Sequence, residues 1–248
     1  VDDAGQQVAA QRVRAQPVAA GGDGQRDAGP GVLRVRDREE VGEHRGTGEQ
    51  READAVRLAL GTAQGVVKRV LADYPTKDEF EVISLKDGDK VVGAALATDS
   101  STLVFVSSDA QLLHYSAASV RPQGRPAGGV AGINLDESAK VIFFGVVENS
   151  ASAVVVTAAN SSLSIPGTDA GSLKISDLSE FPGKGRATGG VRSQRFVRGE
   201  DQLYFAWAGP DDVLALTADG KPMDLRGEKT KRDASGTPQT AVVGSVGN

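Results

Sequence analysis

Gly183 to Ala208 reads GKGRATGGVRSQRFVRGEDQLYFAWA, and Gln123 to Val147 reads QGRPAGGVAGINLDESAKVIFFGVV. Each has Gly-Arg, three further residues, Gly-Val, and then apolar runs broken by a charged turn. The same offset of 61 residues separates Gly124 from Gly185 and Gly129 from Gly190. Recurrence in register marks an internal repeat, and a repeat constrains the fold more than any single segment does.

Outward from this pair the chain is strand language. Leu58 to Val70, LALGTAQGVVKRV, is two short apolar runs around Thr62 to Gly65, a hairpin pattern. Phe80 to Leu96 repeats the form around Asp87-Gly88, and Leu103 to Tyr115 turns near Ser108-Asp109. Val130 to Val147 turns near Asp136 to Ser138, Val154 to Ile165 follows, and Val191 to Ala208 turns at Gly199 to Asp201. Leu203 to Trp207 and Val213 to Leu216 read as a last pair. Pro75, Pro122, Pro126, Pro166 and Pro182 fall between hairpins, where a missing amide donor costs no ladder bond. Hairpins ending in Lys68-Arg69, His114 or Lys174 alternate with hairpins that follow a Pro/Gly segment. Two such hairpins make four short strands in roughly 45 to 60 residues, the length of a propeller blade. The expected fold is all-β: a β-propeller or β-pinwheel of four-stranded antiparallel blades, incomplete, with about three blades over residues 58–216 and residues 217–248 as a C-terminal tail.

Composition narrows the function classes. With no cysteine among 248 residues there is neither a disulfide framework nor a thiolate metal site, and only His44 and His114 offer imidazole. The longest apolar run, Val141 to Val147, is far short of the roughly 20 residues that span a bilayer. A net charge of −5 does not announce a polyanionic partner, so any such site must be a local patch. Residues 1–57 differ in kind. Their cations other than His44 are all arginine, Leu33 is their one leucine, and they contain no Lys, Ser, Ile, Asn, Phe, Tyr, Trp or Met. Such a low-complexity segment cannot bury enough apolar surface to offset its ordering entropy. Its expected character is a disordered linker or, given the abrupt change at Leu58, the translation of a shifted frame in a GC-rich gene.

LGTAQGVVKRV, ISLKDGDKVVGA, LVFVSSDAQLLHY, RPQGRPAGGVAGINL and KGRATGGVRSQRFVRGEDQLYFAWAG, in that order, resemble the C-terminal DNA-binding domain of the bacterial type IIA topoisomerases, in an actinobacterial flavour. That domain belongs to the A subunit of DNA gyrase or of topoisomerase IV. The resemblance covers residues 58 to about 240. It implies a β-pinwheel whose basic rim bends double-stranded DNA, and an ATPase B subunit that partners the intact enzyme. It also implies a cytoplasmic, nucleoid-associated location, no membrane partner, and no cofactor in this chain. The family's gyrase A-box is a heptapeptide of the type Gln-Arg/Lys-Arg-Gly-Gly-Arg/Lys-Gly, and this chain offers the looser GRPAGGV and GKGRATGGV. That departure makes a topoisomerase IV-like role as reasonable as gyrase-type wrapping.

Catalysis is not expected here. In the family it needs a tyrosine in a separate helical DNA-gate domain, whereas Tyr74, Tyr115 and Tyr204 lie in strand-rich text. Gly183 to Arg186 lacks the Gly-Lys-Ser/Thr ending of a phosphate loop. His114 has no partner at ligand spacing, and Asp87/Asp89, Asp136/Glu137 and Glu200/Asp201 are turn carboxylates. The cations differ: Lys184, Arg186, Arg192, Arg195 and Arg198 fall within 15 residues uninterrupted by an acid. Arginine forks match phosphate oxygens, and the neighbouring glycines let backbone amides come close. Arg121 and Arg125 repeat the arrangement one blade earlier, Lys68 and Arg69 end a strand in the blade before, and Lys174 ends another hairpin. These ten are the expected DNA-binding residues. The competing expectation is a propeller-type protein-interaction scaffold that binds no DNA.

Overall fold

Short apolar runs between Gly- and Asp-bearing turns fold as strands from Arg57 to Gly247, in four successive units. The structure is a computed structural model that describes residues 55–73, 75–76, 80–165, 167–225 and 228–247. The reading of the N-terminal segment, and Tyr74 and Pro166, lie outside the described residues. Unit one holds β1 (Arg57–Thr62), β2 (Val66–Arg69) and β3 (Val91–Ala97). Unit two holds β4 (Thr102–Ser107), β5 (Gln111–Ser116), β6 (Val130–Ala131) and β7 (Val141–Val147). Unit three holds β8 (Ala153–Asn160), β9 (Ser172–Asp177), β10 (Val191–Arg192) and β11 (Gln202–Pro210). Unit four holds β12 (Leu214–Thr217), β13 (Pro222–Met223), β14 (Thr237–Pro238) and β15 (Val243–Gly247). Among the described residues the only helical pieces are 3₁₀ turns at Ala117–Ser119 and Leu178–Glu180, so no helix is long and apolar enough to cross a membrane.

The strands form four antiparallel sheets in a propeller-like arrangement, ordered β3-β1-β2-β6, β10-β5-β4-β7, β11-β8-β9-β14 and β13-β12-β15. Each sheet is one hairpin, the long strand that follows it in the same unit and, in the first three, a two-residue outer strand sent back by the next unit. The hairpins at β1-β2 and β4-β5 match the sequence reading. The segments Val130–Val147 and Val191–Ala208 do not pair internally as hairpins. Their first strands, β6 and β10, join the preceding blade, on β2 and β5, while β7 and β11 pair with β4 and β8.

Glycine lets the outer strand arrive. Gly129 and Gly190 have φ of +82° and +76°, and a Cβ on either would lie 2.7 Å from the Val67 carbonyl oxygen or 2.5 Å from that of Leu112. Leu203–Trp207 and Val213–Leu216 also separate, since β11 pairs with β8 while β12 begins the fourth sheet. Phe80–Lys86 forms no strand.

Residues 217–248 are not a tail. They complete β12, supply β13 and β15 of a fourth sheet, and send β14 onto β9. This replaces the expected three blades with four sheets. The sequence signal is weak because these strands are short and carry Gly and Pro, so packing against blade three selects them rather than propensity.

The core lies between blades. Leu103 and Phe105 of β4 pack toward blade one with Leu113, Tyr115, Ile133 and Phe144, while Val104 and Val106 pack toward blade three with Leu112, Val155 and Leu178. A strand buried on both faces reads as the continuous apolar run LVFV, without alternation. Phe105 is fully buried, with its ring centroid 4.8 Å from that of Phe144. Val154, Val156, Leu173 and Ile175 form a further layer with Val243 of β15.

Candidate nucleic-acid interface

Each outer strand is preceded by a linker, and the three linkers are built alike. Each begins with a backbone N–H donated to the second strand of the preceding hairpin: Gln123 to the Arg69 carbonyl at 2.8 Å, Lys184 to His114 at 3.3 Å, and Thr230 to Ile175 at 2.9 Å. Two residues further on each chain turns, and the turn begins with arginine: Arg125, Arg186 and Arg232. The turns are closed by Ala127 N–H donating to Gly124 O, the Thr188 hydroxyl to Gly185 O, and Ala234 N–H to Lys231 O. Gly129, Gly190 and Gly236 then lead into β6, β10 and β14. All three arginines are half-buried at the stem.

The third linker, Thr230–Thr237, escapes the Gly-Arg repeat. TKRDASGT keeps the arginine and the last glycine of GRPAGGV and GRATGGV, but has Lys231 for the first glycine and Ser235 for the next-to-last. The offset also drops to 46 residues, from Arg186 to Arg232. The signal that finds it is the arginine with that last glycine, instead of Gly-Arg.

Among the expected DNA-binding residues, Arg121, Lys184, Arg192, Arg195 and Arg198 are exposed. Arg125 stands over the Phe80 ring, 5.6 Å from its centroid. The Lys184 ammonium donates to Gly190 O at 2.8 Å, and Arg186 Nη1 to Ala131 O at 2.5 Å, both on the surface. Arg192 and Arg195 converge on an open hollow of about 290 Å³ that Asp109, Gln111, Gln194 and Phe196 also line.

Three of the ten lie in the interior, which corrects the expectation that they sit on the rim. Lys68 and Arg69 are 0% and 1% exposed and Lys174 is 3% exposed. The Lys68 ammonium donates to Val82 O, Arg125 O and Ala127 O at 2.8, 2.6 and 2.6 Å. That of Lys174 donates to Ser176 Oγ, Ser193 O and Arg232 O at 2.7, 2.6 and 2.9 Å. Arg69 donates to Ala117 O at 2.9 Å and Val120 O at 3.3 Å, and pairs with Asp99. Burial pushes both ammonium groups down to about 8, against the opposing pull of Glu81 on Lys68 and of Asp233 and Glu180 on Lys174.

The other candidate groups hold structure. The Tyr115 hydroxyl donates to Gly132 O, and burial raises its pKa well above the ordinary phenol value. Tyr204 donates to Ala170 O, and His114 Nε2 lies 2.8 Å from Phe181 O. Asp89 accepts the Gln64 and Lys90 N–H groups, and Asp201 accepts both donors of Ser162.

The described residues thus form antiparallel blades in a propeller-like arrangement, the first three each closed by a strand from the next unit and edged by an arginine turn. The family model for the DNA gyrase C-terminal domain, β-propeller, matches residues 81–98, 101–148 and 167–203. The DNA gyrase A subunit of Mycolicibacterium smegmatis is 29% identical over 174 residues, covering 67% of this chain and 19% of that protein. The gyrase A subunit of Streptomyces coelicolor is 29% identical over 212 residues, covering 77% of this chain and 24% of its own length. The chain thus spans about an eighth to a quarter of the length of the curated relatives it matches. The C-terminal domain of DNA topoisomerase IV superposes with a TM-score of 0.65 at 21% identity, over 77% of this chain and 61% of that one. The DNA gyrase A C-terminal domain does so with a TM-score of 0.62 at 20% identity, over 79% and 66%. Over the matched residues the chain is similar in sequence to DNA gyrase A C-terminal β-propeller domains, and it shares their fold.

Proposed function

We propose that the chain binds duplex DNA without sequence preference and bends it across successive blades, as a non-catalytic module of a type II topoisomerase A subunit that works beside a B subunit in the cytoplasm. The observation that carries this reading is the arginine at one turn position in three successive linkers, Arg125, Arg186 and Arg232. Equivalent placement repeats a phosphate-binding fork at the spacing of the blades, and a duplex engaging all three follows their path. Arg121, Arg192, Arg195, Arg198 and Lys231 add exposed charge beside those turns. Contacts of this kind fall on phosphate and position the duplex without reading bases.

Bending 20–30 base pairs costs on the order of 1–6 kcal/mol, which contacts on several blades together must offset. The test is energy transfer between dyes at the ends of 30-base-pair duplexes of unrelated sequence. Saturation with the chain shortens the end-to-end distance equally on each. Binding restricted to one sequence, or saturation with unchanged distance, overturns the proposal.

A further inference from the structure

Lys68 and Lys174 are the first residues beyond the outer-strand contact of their hairpins, at the same place in blades one and three. Val67 pairs with Val130 and Leu173 with Thr237, and each lysine comes next in its strand. Each ammonium is buried and takes one carbonyl from its own unit, Val82 O or Ser193 O, and one from the arginine of the next unit's turn, Arg125 O or Arg232 O. Lys68 also holds Ala127 O, so the turn is pinned on both sides of Pro126. Blade two has Leu113 at this place, which has no donor. There the corresponding linker carbonyl, Gly132 O, accepts from the Tyr115 hydroxyl at 3.2 Å and from Ala187 N–H at 2.8 Å, and Arg186 itself reaches the Ala131 carbonyl.

We propose that Lys68 and Lys174 are positioning residues for nucleic-acid binding: each buried ammonium sets the backbone of the following arginine turn, so that Arg125 and Arg232 are presented to a phosphate in an already ordered loop. This rests on the DNA-binding reading above. The carbonyls that each buried cation binds belong to its own unit and to the following linker, so its effect is on how that linker is held. Three such charge-assisted bonds from Lys68, and two from Lys174, fix the peptide planes that accept them. Ordering the loop before the ligand arrives removes that entropy cost from binding. The middle turn is ordered by its own arginine, so it does not depend on a lysine.

The test uses the full chain with Lys68→Met and Lys174→Met together, with Arg125→Ala and Arg232→Ala together, and with all four changes. Amide hydrogen exchange and duplex affinity are read on each. In the lysine pair, amides of Ala127–Gly129 and Ala234–Gly236 exchange at least about 10-fold faster while those of β4 and β8 stay protected, and affinity falls about 10-fold. The fourfold variant binds no more weakly than the arginine pair, because the lysines act through those arginines. Unchanged loop exchange, parental affinity in the lysine pair, or losses that add in the fourfold variant each overturn the proposal. If the methionine pair does not fold, Lys68→Leu with Lys174→Leu, the residue that blade two carries at this place, is read by the same criteria. Absence of duplex binding by the parent overturns the DNA reading, and the exchange comparison then decides alone whether the lysines order the loops.

Discussion

Lysine at the end of a hairpin reads, in a sequence, as surface charge. At Lys68 and Lys174 the chain turns that reading inside out, because the linker of the next unit folds over the strand and surrounds each ammonium with carbonyls. Nothing local distinguishes them from Lys184, which stays on the surface; the difference is made by residues 57 to 58 positions away in the chain. Their pKa values, lowered by burial to about 8 from 10.5, have a consequence for stability. The folded state gives up its proton at a lower pH than the unfolded state, so between about pH 8 and 10.5 the unfolded chain binds more protons and the unfolding free energy grows with pH. Urea unfolding at a series of pH values checks this. Stability of the parent rises over that window by up to about 3 kcal/mol per lysine, and Lys174→Met removes part of the rise. A flat or falling profile in the parent contradicts the burial of the two charges.

At the scale of the element, strands and turns were legible where the signal is local. Thr62 to Gly65 and Ser108-Asp109 close the hairpins that their residues announce. Partner choice was not legible, because Val130 and Val191 look like the first strands of hairpins and become outer strands of another blade. That exchange rests on the close approach at the glycine before each. Gly190→Ala places a Cβ against the Leu112 carbonyl at positive φ, whereas at Gly185 a Cβ meets nothing within 4 Å. Gly190→Ala therefore lowers stability by about 1–3 kcal/mol, and Gly185→Ala changes it by less than about 0.5 kcal/mol. Denaturant melts of the two variants measure this. Equal effects would mean that β10 is not held by that contact.

For the whole molecule, the family resemblance carried the fold, and the repeat carried two of the three arginine turns. The third turn and the fourth sheet were hidden in residues 217–248, whose short strands and altered linker gave neither a long apolar run nor a Gly-Arg pair. Their recovery matters for function, since three equivalent cationic turns define a path where two define only a line. The acidic total charge of −5 is compatible with this, because association depends on the local field at the turns. Asp233 beside Arg232 and Asp109 beside Arg192 moderate that field.

The most direct measurement is duplex affinity as a function of salt for the parent and for the variant with Arg125, Arg186 and Arg232 all changed to alanine. Each neutralised phosphate contributes about −0.9 to the slope of log affinity against log salt, so four to six engaged cations give the parent a slope of about −4 to −5. The triple variant should remain folded, bind every sequence more weakly, and show a slope shallower by about three units. A variant that keeps the parental slope and affinity at low salt would contradict the account, because the three turns would then be solvated charge and the blades a scaffold for something other than DNA.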